Sequence, residues 1–383
     1  MSDLTNNMNT CFILTHIPNP RINKRITEFL KVGEVSVICV RRKGANIWKQ
    51  YIDNVDYYIL DMEYAPSSQI IKRAIHSKKF QKFAGEILKQ KKIDVCYVGD
   101  LDALLIVKRI KRKDSNIKVV FEVSDLREIY IEKPQNVIKS CMRSLLLKTE
   151  KKAFSYVNNL IVTSPKFYDA YYKNLISRNK MLYIPNSPNM KYFKDYSKKK
   201  TGGFTIGFIG GIRYLEQMKN LVDAAAITNC NVLFAGAGAT TKDYEEIQEY
   251  CKDKPFVTFS GQYDYSTDIA MLYGKVDCVY AVYDADNPNV RIALPNKLYE
   301  SIVCHLPIIV AKKTYLSELV ERWGVGVSVD HHNLKDLVEA ISKLKNGSAC
   351  SDIDSKCGII EDDICCEHAL SKLIESFVNG ETI

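Results

Sequence analysis

The chain has 383 residues, of which 46% are hydrophobic and 26% are charged. This composition excludes a disordered or collagen-like protein, and the length favours two domains of similar size over one compact core. The longest apolar runs, such as residues 35–40, have the length of strands. We therefore expect neither a membrane-spanning helix nor a signal sequence, and a cytoplasmic protein.

The net charge of +9 is divided unequally along the chain. Residues 1–200 contain 38 Lys and Arg and 19 Asp and Glu, whereas residues 201–383 contain 16 and 26, so the two parts carry +19 and −10. A basic half attracts nucleic acid, an anionic membrane or a phosphorylated ligand, because its long-range field does not distinguish among polyanions. Lysine-rich solvated faces without a partner are the alternative.

The 12 cysteines are scattered, and several lie within apolar runs. They are expected to be small buried hydrophobic residues rather than the disulfides of a secreted scaffold. The group formed by Cys350, Cys357, Cys365 and Cys366 has no C-x-x-C pair and no histidine at zinc-finger spacing. We therefore predict no metal site.

Strand-like runs alternate with helix-like segments along the first half of the chain. This alternation predicts a doubly wound parallel sheet. The predicted strands are 10–15, 35–40, 57–62, 94–98, 118–123, 160–163 and 181–184. The predicted helices are 23–31, 68–91, 101–112, 136–156 and 165–177.

In a parallel sheet, ligands bind beyond the carboxyl ends of the strands, so the turns after the strands are the places to examine. In the first half, these turns contain His16, Asp100 and Asp125. A helix cap or a surface turn is the alternative role for each of them. No G-x-G-x-x-G follows the first strand, which argues against a dinucleotide cofactor in this half.

The predicted helix 136–156 places apolar side chains beside basic ones, among them Lys148, Lys151 and Lys152. Such a helix can lie on an anionic bilayer, and a plain core-facing helix is the alternative. The basic charge of the whole half favours the membrane.

The prolines at 184–188 and the Lys and Gly run at 198–203 predict an interdomain linker. After it the alternation resumes, which predicts a second Rossmann-like domain. We expect domains at 1–190 and 204–360, and a last helical stretch, within 361–383, that is free to pack back on the first domain. The predicted strands are 204–209, 231–235, 256–259, 277–282, 307–311 and 325–329. The predicted helices are 217–227, 240–251, 267–273, 295–304, 314–321, 334–344 and 361–378.

Two glycines, Gly210 and Gly211, follow the first strand of the second domain, with Arg213 after them and Lys219 in the next helix. Glycines let a ligand approach the backbone closely, and two cations would hold an anion such as a diphosphate. A second glycine turn, at 235–238, follows the next strand. A Gly-Gly turn taken alone is weak evidence, because such a turn is more often only a tight connection, and simple geometry is also the alternative for the second turn.

The predicted helix 295–304 carries Asn296, Lys297 and Glu300 on one polar edge. No good N-cap residue precedes Pro295, so the amides of the first turn would bind a phosphate. An ordinary amphipathic helix with a solvated pair between Lys297 and Glu300 is the alternative. On an edge of this kind, Glu300 should be replaceable with little loss of stability.

The order of these pieces is the most specific signal in the sequence. They are Gly-Gly-x-Arg, Lys-Asn, Leu-Phe-Ala-Gly-Ala-Gly, Phe-Ser-Gly-Gln-Tyr, Leu-Tyr-Gly-Lys-Val-Asp-Cys and Pro-Asn-Lys-Leu-Tyr-Glu. The succession resembles the nucleotide-sugar domain of GT-B glycosyltransferases, most closely family 4 and the related capsule and O-antigen transferases. It covers residues 204–345 well and the first half more weakly. The resemblance implies two Rossmann-like domains facing across a cleft, the first binding the acceptor and the second the nucleotide sugar.

The resemblance also implies roles for residues around the glycine turn. Arg213 and Lys219 would hold the donor diphosphate beside Gly210 and Gly211, and Glu300 would accept hydrogen bonds from the ribose hydroxyls. Positive charge at the diphosphate stabilises the leaving group without a metal, so no cofactor beyond the donor is expected.

Four further positions follow from the same resemblance. Asn296 and Lys297 would lie at the sugar-phosphate end of the donor, and Gln262 and Tyr263 would lie near the nucleobase.

One departure from the family pattern concerns the transferred sugar. Many family members have two glutamates separated by seven residues, but the position eight before Glu300 is Ile292. The identity of the sugar and the stereochemical outcome therefore stay open. An inverting enzyme needs a general base, for which Asp125 is the candidate, and a retaining enzyme does not require one. His16 and Asp100 are further acceptor-side candidates.

The sequence thus predicts a cytoplasmic, peripheral-membrane glycosyltransferase that moves a sugar from a nucleoside-diphosphate sugar to a lipid-linked or saccharide acceptor in surface polysaccharide biosynthesis. The basic half would face anionic lipid. A nucleotide-sugar epimerase of the same fold is one alternative, and a catalytically inactive scaffold is another. A nucleic-acid-binding protein is a third, although no aromatic-interleaved basic motif accompanies the charge.

Overall fold

The computed structural model describes the chain except for residues 1–7, 43–50, 64, 66–68, 112, 113, 135, 200, 201, 239, 240, 366, 367 and 381–383. Parts of several predicted segments, at residues 68, 112, 200, 201, 240, 366 and 367, lie outside the described residues. The chain divides into two compact units, Met1–Ile184 with Glu367–Ile383, and Pro185–Cys366.

The first unit is built on a parallel sheet of seven strands in the order β3-β2-β1-β4-β5-β6-β7. Its central strands are apolar on both faces because helices cover both sides of a doubly wound sheet. The strands are β1 (Thr10–Leu14), β2 (Val35–Arg41), β3 (Val55–Asp61), β4 (Val95–Val98), β5 (Lys118–Val123), β6 (Asn159–Val162) and β7 (Met181–Tyr183).

Helices connect these strands. The Asn19 side chain caps the first helix by accepting a hydrogen bond from the Ile22 amide, and Pro20 fits the first helical position, where no backbone donor is needed. The helices are α1 (Pro20–Leu30), α2 (Ile70–Leu88), α3 (Leu101–Lys111), α4 (Glu128–Ile131), α5 (Val137–Phe154) and α6 (Pro165–Ala170).

A buried ionic cluster, which the sequence did not predict, lies within the first unit. The side chain of Glu122, on β5, is only 1% exposed, and its Oε1 lies 2.9 Å from Nε of Arg21. Nε of Arg25 lies 3.5 Å from Oε2, which also accepts a hydrogen bond from the Tyr97 hydroxyl. Two guanidinium groups thus compensate a carboxylate that is removed from water.

The second unit contains a parallel sheet of six strands in the order β10-β9-β8-β11-β12-β13. The parallel α/β architecture predicted for each half is therefore confirmed. The strands are β8 (Thr205–Ile209), β9 (Asn231–Ala235), β10 (Val257–Gly261), β11 (Cys278–Ala281), β12 (Ile308–Ala311) and β13 (Gly326–Val329). The helices are α7 (Leu215–Thr228), α8 (Thr241–Cys251), α9 (Tyr265–Tyr273), α10 (Pro288–Ile292), α11 (Asn296–Val303), α12 (Tyr315–Trp323), α13 (Leu334–Lys345) and α14 (Ile353–Cys365).

The end of the chain belongs to the first unit. Helix α15 (His368–Val378) buries Leu370, Leu373 and Ile374 in the same apolar cluster as Phe12 and Phe29. The stretch predicted as one helix from residue 361 is therefore shared between the two units, because α14 belongs to the second unit and α15 to the first.

The segment predicted as a linker also differs from expectation. Residues 185–199 and 202–203 are part of the second unit. The Tyr196 hydroxyl donates to the Cys304 carbonyl at 2.8 Å, and Nζ of Lys198 lies 3.3 Å from Oδ1 of Asp277. These tertiary contacts hold a segment whose prolines and glycines suggested a free connection.

Candidate active site

Two glycine turns meet through their backbones at the carboxyl end of the second sheet. Gly210, after β8, has φ +142°, and its N–H donates to the Ala235 carbonyl at 2.8 Å. Gly236, after β9, has φ +129°, and a Cβ at this position would lie 2.2 Å from the Gly210 carbonyl oxygen. The Ile212 N–H donates to the Ala237 carbonyl at 2.8 Å. Both turns need glycine because these backbone conformations disfavour a side chain and the second turn has no room for one.

Lys297, on α11, brings a buried ammonium group to the first of these turns. The residue is 7% exposed, and a Cβ on Gly210 would lie 2.8 Å from its Nζ. Nζ donates to the Tyr283 hydroxyl at 3.1 Å and lies 4.2 Å from the centroid of the Phe208 ring. Within the described part of the chain, no carboxylate forms an ion pair with it. An ammonium group held by ring faces and one hydroxyl keeps donors for an anion.

Arg213 lies beside the same tyrosine. Its guanidinium carbon is 5.9 Å from the centroid of the Tyr283 ring, and Nζ of Lys297 is 5.6 Å from that centroid. Tyr214, just before α7, has a left-handed backbone with φ 61°, which is strained for a residue other than glycine. Gly211 is exposed, and a Cβ there would meet nothing within 4 Å. The turn therefore gathers two cations around Tyr283 and is open beside Gly211.

In the structure, Lys219 forms an ion pair with a glutamate of the next helix. This residue lies on α7, and its Nζ is 2.8 Å from Oε1 of Glu246 on α8 and 5.4 Å from the centroid of the Tyr250 ring. A carboxylate therefore already balances its charge. The structure brings Lys297 to the glycine turn, whereas the resemblance implied Lys219 at the diphosphate and Lys297 at the sugar-phosphate end.

Glu300 is buried and does not lie on an exposed polar edge. It is 3% exposed, and its two oxygens accept hydrogen bonds from the hydroxyls of Tyr265 at 2.6 Å and Tyr273 at 2.5 Å. Burial raises the pKa of Glu300, and the two hydroxyls and Lys297 oppose that shift only in part. The solvated pair between Lys297 and Glu300 therefore does not form. These contacts argue against the expectation that Glu300 is replaceable with little loss of stability, because its removal would leave the hydroxyls of the buried Tyr273 and the half-buried Tyr265 without their acceptor.

The loop after β10 approaches this carboxylate. Burial and the nearby charge of Glu300 both raise the pKa of the half-buried Tyr263. Gln262 is exposed. The rings of Tyr192 and Tyr265 meet edge to face with centroids 6.0 Å apart. Tyrosine hydroxyls thus surround the Glu300 carboxylate, which is an arrangement suited to a nucleoside.

Helix α11 begins without a side-chain cap. Pro295 stands at the N-cap position and makes no such hydrogen bond, so the amides of the first turn depend on other partners. Asn296 is exposed, and its Oδ1 accepts a hydrogen bond from the Asn186 side chain. The positive end of the helix dipole adds to the cationic character around Lys297.

In the first unit, the three acceptor-side candidates follow the neighbouring strands β1, β4 and β5. Asp100 has a structural role, because one oxygen accepts from the Thr15 hydroxyl at 2.5 Å and the other from the Ala103 amide at 2.9 Å. His16 is half-buried, and its Nδ1 lies 2.8 Å from the neighbouring backbone carbonyl. Asp125 is exposed in the loop before α4. Parallel strands thus bring all three to one edge of the first sheet.

Comparisons with known proteins agree with this geometry. Residues 190–356 match the family described as glycosyl transferases group 1. The succinoglycan biosynthesis protein ExoL of Rhizobium meliloti (strain 1021) is 21% identical over 350 residues, which cover 87% of this chain and 84% of ExoL.

The chain is a GT-B glycosyltransferase. Sucrose-phosphate synthase from Thermosynechococcus elongatus has a TM-score of 0.74 at 15% identity, over 98% of this chain and 99% of that structure. HepE of Anabaena, solved with UDP and glucose, has a TM-score of 0.69 at 15% identity, over 98% and 100%. The family resemblance and the class of activity predicted from the motifs are confirmed. None of the helices in the described part of the chain combines the length and the apolar character that a membrane span requires.

Sequence reasoning missed three tyrosines of the glycosyltransferase. Tyr283 follows β11 at the carboxyl edge of the sheet, and this position was the available signal. Tyr265 and Tyr273 lie at the two ends of α9, and no spacing in the sequence links them to Glu300. Only the packing of α9 against α11 brings their hydroxyls to the carboxylate.

Proposed function

We propose that this glycosyltransferase transfers a sugar from a nucleoside-diphosphate sugar to a lipid-linked or saccharide acceptor in the biosynthesis of a surface polysaccharide, such as a capsule. The main observation in support of donor binding is the buried Lys297 ammonium group beside Gly210. Two comparisons support the proposal, since ExoL is named for succinoglycan biosynthesis and HepE was solved with UDP and glucose.

The diphosphate of the donor would occupy the glycine turn. Lys297 and Arg213 supply positive charge there, and the uncapped start of α11 supplies amide donors. A buried ammonium without a carboxylate is costly in the free protein, and an anion would compensate that cost. The same charges stabilise the departing nucleoside diphosphate as the glycosidic bond breaks, so this step needs no metal ion.

The nucleoside would extend towards Glu300. Each oxygen of this carboxylate accepts one tyrosine hydroxyl and has a further lone pair for a ribose hydroxyl. Tyr263 and Gln262 would lie beside the base, and Asn296 at the sugar-phosphate end. Lys219 remains a weaker donor-side candidate because Glu246 already holds its ammonium.

The acceptor would bind the first unit. Asp125 is the proposed general base for an inverting reaction, since its carboxylate is exposed at the carboxyl end of β5. His16 would contact the acceptor, and Asp100 would hold the turn in place through its bonds to Thr15 and Ala103.

A donor screen tests the proposal. The purified protein is titrated by calorimetry with a panel of nucleoside-diphosphate sugars, and each donor is then incubated with and without lipid-linked saccharides and followed by mass spectrometry. We expect one nucleoside diphosphate to bind and its sugar to move only when an acceptor is present. An isomerised donor without acceptor would indicate an epimerase, and binding without transfer to any acceptor would indicate a scaffold. No binding of any nucleoside diphosphate would refute the proposal.

Association with the inner face of the cytoplasmic membrane is the second part of the proposal. Helix α5 exposes large apolar side chains, with Val137 at 76%, Ile138 at 71% and Leu145 at 69%. Basic residues accompany them on the same helix, including the exposed Lys148 and Lys152. Exposed apolar groups beside lysines suit an anionic lipid surface, which accepts both.

Vesicle sedimentation tests the membrane role. Replacing Lys148, Lys151 and Lys152 by glutamate should weaken binding to anionic vesicles by about 100-fold or more, because each lysine near such a surface contributes about 1 kcal/mol. The matched control replaces Lys78, Lys79 and Lys82, on α2 of the same unit, by glutamate. Equal losses in both variants would show attraction by overall charge, and retention of the α5 variant on the vesicles would refute a role for this helix.

A further inference from the structure

Four metal-ligating side chains converge at the carboxyl edge of the second sheet, apart from the residues assigned to the donor. Asp284 and Asp286 lie in the loop after β11, and His331 and His332 lie in the loop after β13. One ligand atom from each of the four lies within 4.8 Å of all the others. Two loops separated by β12 in the sheet thus place two imidazoles and two carboxylates around one point.

The distances between these atoms match the coordination of a small cation. Nε2 of His331 lies 3.4 Å from Oδ1 of Asp284 and 3.9 Å from Oδ2 of Asp286, and Nε2 of His332 lies 3.2 Å from Oδ2 of Asp286. Zinc bonds of about 2.0–2.1 Å in a tetrahedron separate neighbouring ligand atoms by about 3.3 Å. A zinc ion would therefore fit with small adjustments of the side chains.

His331 supplies an independent observation. Its side chain is 11% exposed, and its buried Nε2 makes no hydrogen bond to any described residue, even though the Asp284 carboxylate lies close by. Buried polar atoms in folded proteins nearly always have a partner. A metal ion between the imidazole and the carboxylates would satisfy this nitrogen.

A carboxylate outside the cluster orients the second histidine. Nδ1 of His332 lies 2.6 Å from Oε1 of Glu216, which leaves Nε2 directed towards Asp286. This is the arrangement in which a carboxylate fixes the tautomer of a metal-bound histidine. The Gln217 side chain also donates to the His331 carbonyl at 3.3 Å. Both histidines are thus tied to the first turn of α7.

We propose that Asp284, Asp286, His331 and His332 bind one zinc ion. Two nitrogen ligands favour zinc over magnesium or calcium, which prefer oxygen ligands only. The ion would join the loops after β11 and β13 and, through Glu216, the start of α7. Because α7 begins directly after Arg213 and Tyr214, the site would steady the glycine turn without taking part in the transfer step.

Zinc titration in the absence of nucleotide tests this proposal. Protein stripped of metal with a chelator is titrated with Zn²⁺ by calorimetry, and the metal retained after desalting is measured by mass spectrometry. The wild type should retain one zinc ion that the His331→Ala variant loses. The Glu216→Gln variant should bind the ion about 10- to 100-fold more weakly, as expected when the partner of a metal-bound histidine is removed.

The control variant is His305→Ala, which removes an exposed histidine paired with Asp354 at 3.0 Å and should retain the ion. Circular dichroism checks that each variant is folded. Cobalt in place of zinc should give a spectrum without thiolate bands, which excludes binding by cysteine. Zinc retention by His331→Ala equal to the wild type, no retention by the wild type, or a thiolate spectrum would each overturn the proposal. None of these results bears on the binding of a nucleoside diphosphate.

Discussion

Replacing Lys297 by methionine separates a binding role of this lysine from a structural one. The substitution keeps an unbranched side chain of similar length and removes only the ammonium group. In the free protein this group is buried, donates to Tyr283 and lies 4.2 Å from the centroid of the Phe208 ring. A lysine kept for stability and a lysine kept for an anion predict opposite results.

The magnitudes follow from these contacts. Loss of the attraction between the cation and the rings costs about 0.5–2 kcal/mol. Removal of a buried charge without a carboxylate recovers a desolvation penalty of several kcal/mol per ion. The free energy of unfolding without nucleotide should therefore stay equal or rise. Loss of one charged hydrogen bond to the diphosphate costs about 1.5–3 kcal/mol, which weakens binding about 10- to 150-fold.

Two measurements check this prediction. Chemical denaturation without nucleotide gives the free energy of unfolding, and calorimetric titration with UDP, or with the nucleoside diphosphate found in the donor screen, gives the affinity. The Lys252→Met variant, which removes an exposed lysine paired with Glu249 on the same unit, should change neither quantity. Unchanged nucleotide affinity in Lys297→Met, or a loss of stability large enough to account for the lost affinity, would refute the reasoning.

Three further predictions concern other buried groups and the glycine turn. Glu300→Ala leaves two tyrosine hydroxyls without their acceptor and should lower the free energy of unfolding, measured by urea denaturation, by about 2–5 kcal/mol. An unchanged midpoint of the urea unfolding curve would contradict a buried carboxylate. Burial raises the pKa of Glu122, but the two guanidinium groups outweigh it and the pKa is lowered from 4.5. The ionised form of Glu122 therefore stabilises the fold above pH 4.5, and this contribution is lost as the pH falls through the lower pKa of the folded state. The free energy of unfolding of Glu122→Gln should therefore fall less steeply with acid than that of the wild type. Equal pH dependence in the two proteins would count against the buried ionic cluster. Gly210→Ala would place a Cβ 2.8 Å from the Lys297 ammonium and should weaken nucleotide binding at least about 10-fold. The control is Gly211→Ala, whose Cβ meets nothing within 4 Å and should leave the affinity unchanged. Equal affinities of the two variants would place the donor elsewhere.

The sequence alone determined the architecture of both halves, because the signals involved are local. A strand covered on both faces is an apolar run, and a helix on a sheet is amphipathic, so the alternation of the two is visible without any contact being known. The glycine turns were visible for the same reason, since Gly210 and Gly236 directly follow strands. The order of the motifs then pointed to the glycosyltransferase family.

Tertiary structure decided which side chains meet. The burial of Lys297 and Glu300 depends on Tyr283 in the loop after β11 and on α9, whose contacts with α11 no local periodicity specifies. Sequence proximity favoured Lys219 for the glycine turn, yet α8 supplies a carboxylate that holds its ammonium. The grouping of Asp284 with His331 likewise depends on the order of the strands in the sheet. Local periodicity specifies the face of an element, but only the packing of the elements specifies what that face contacts.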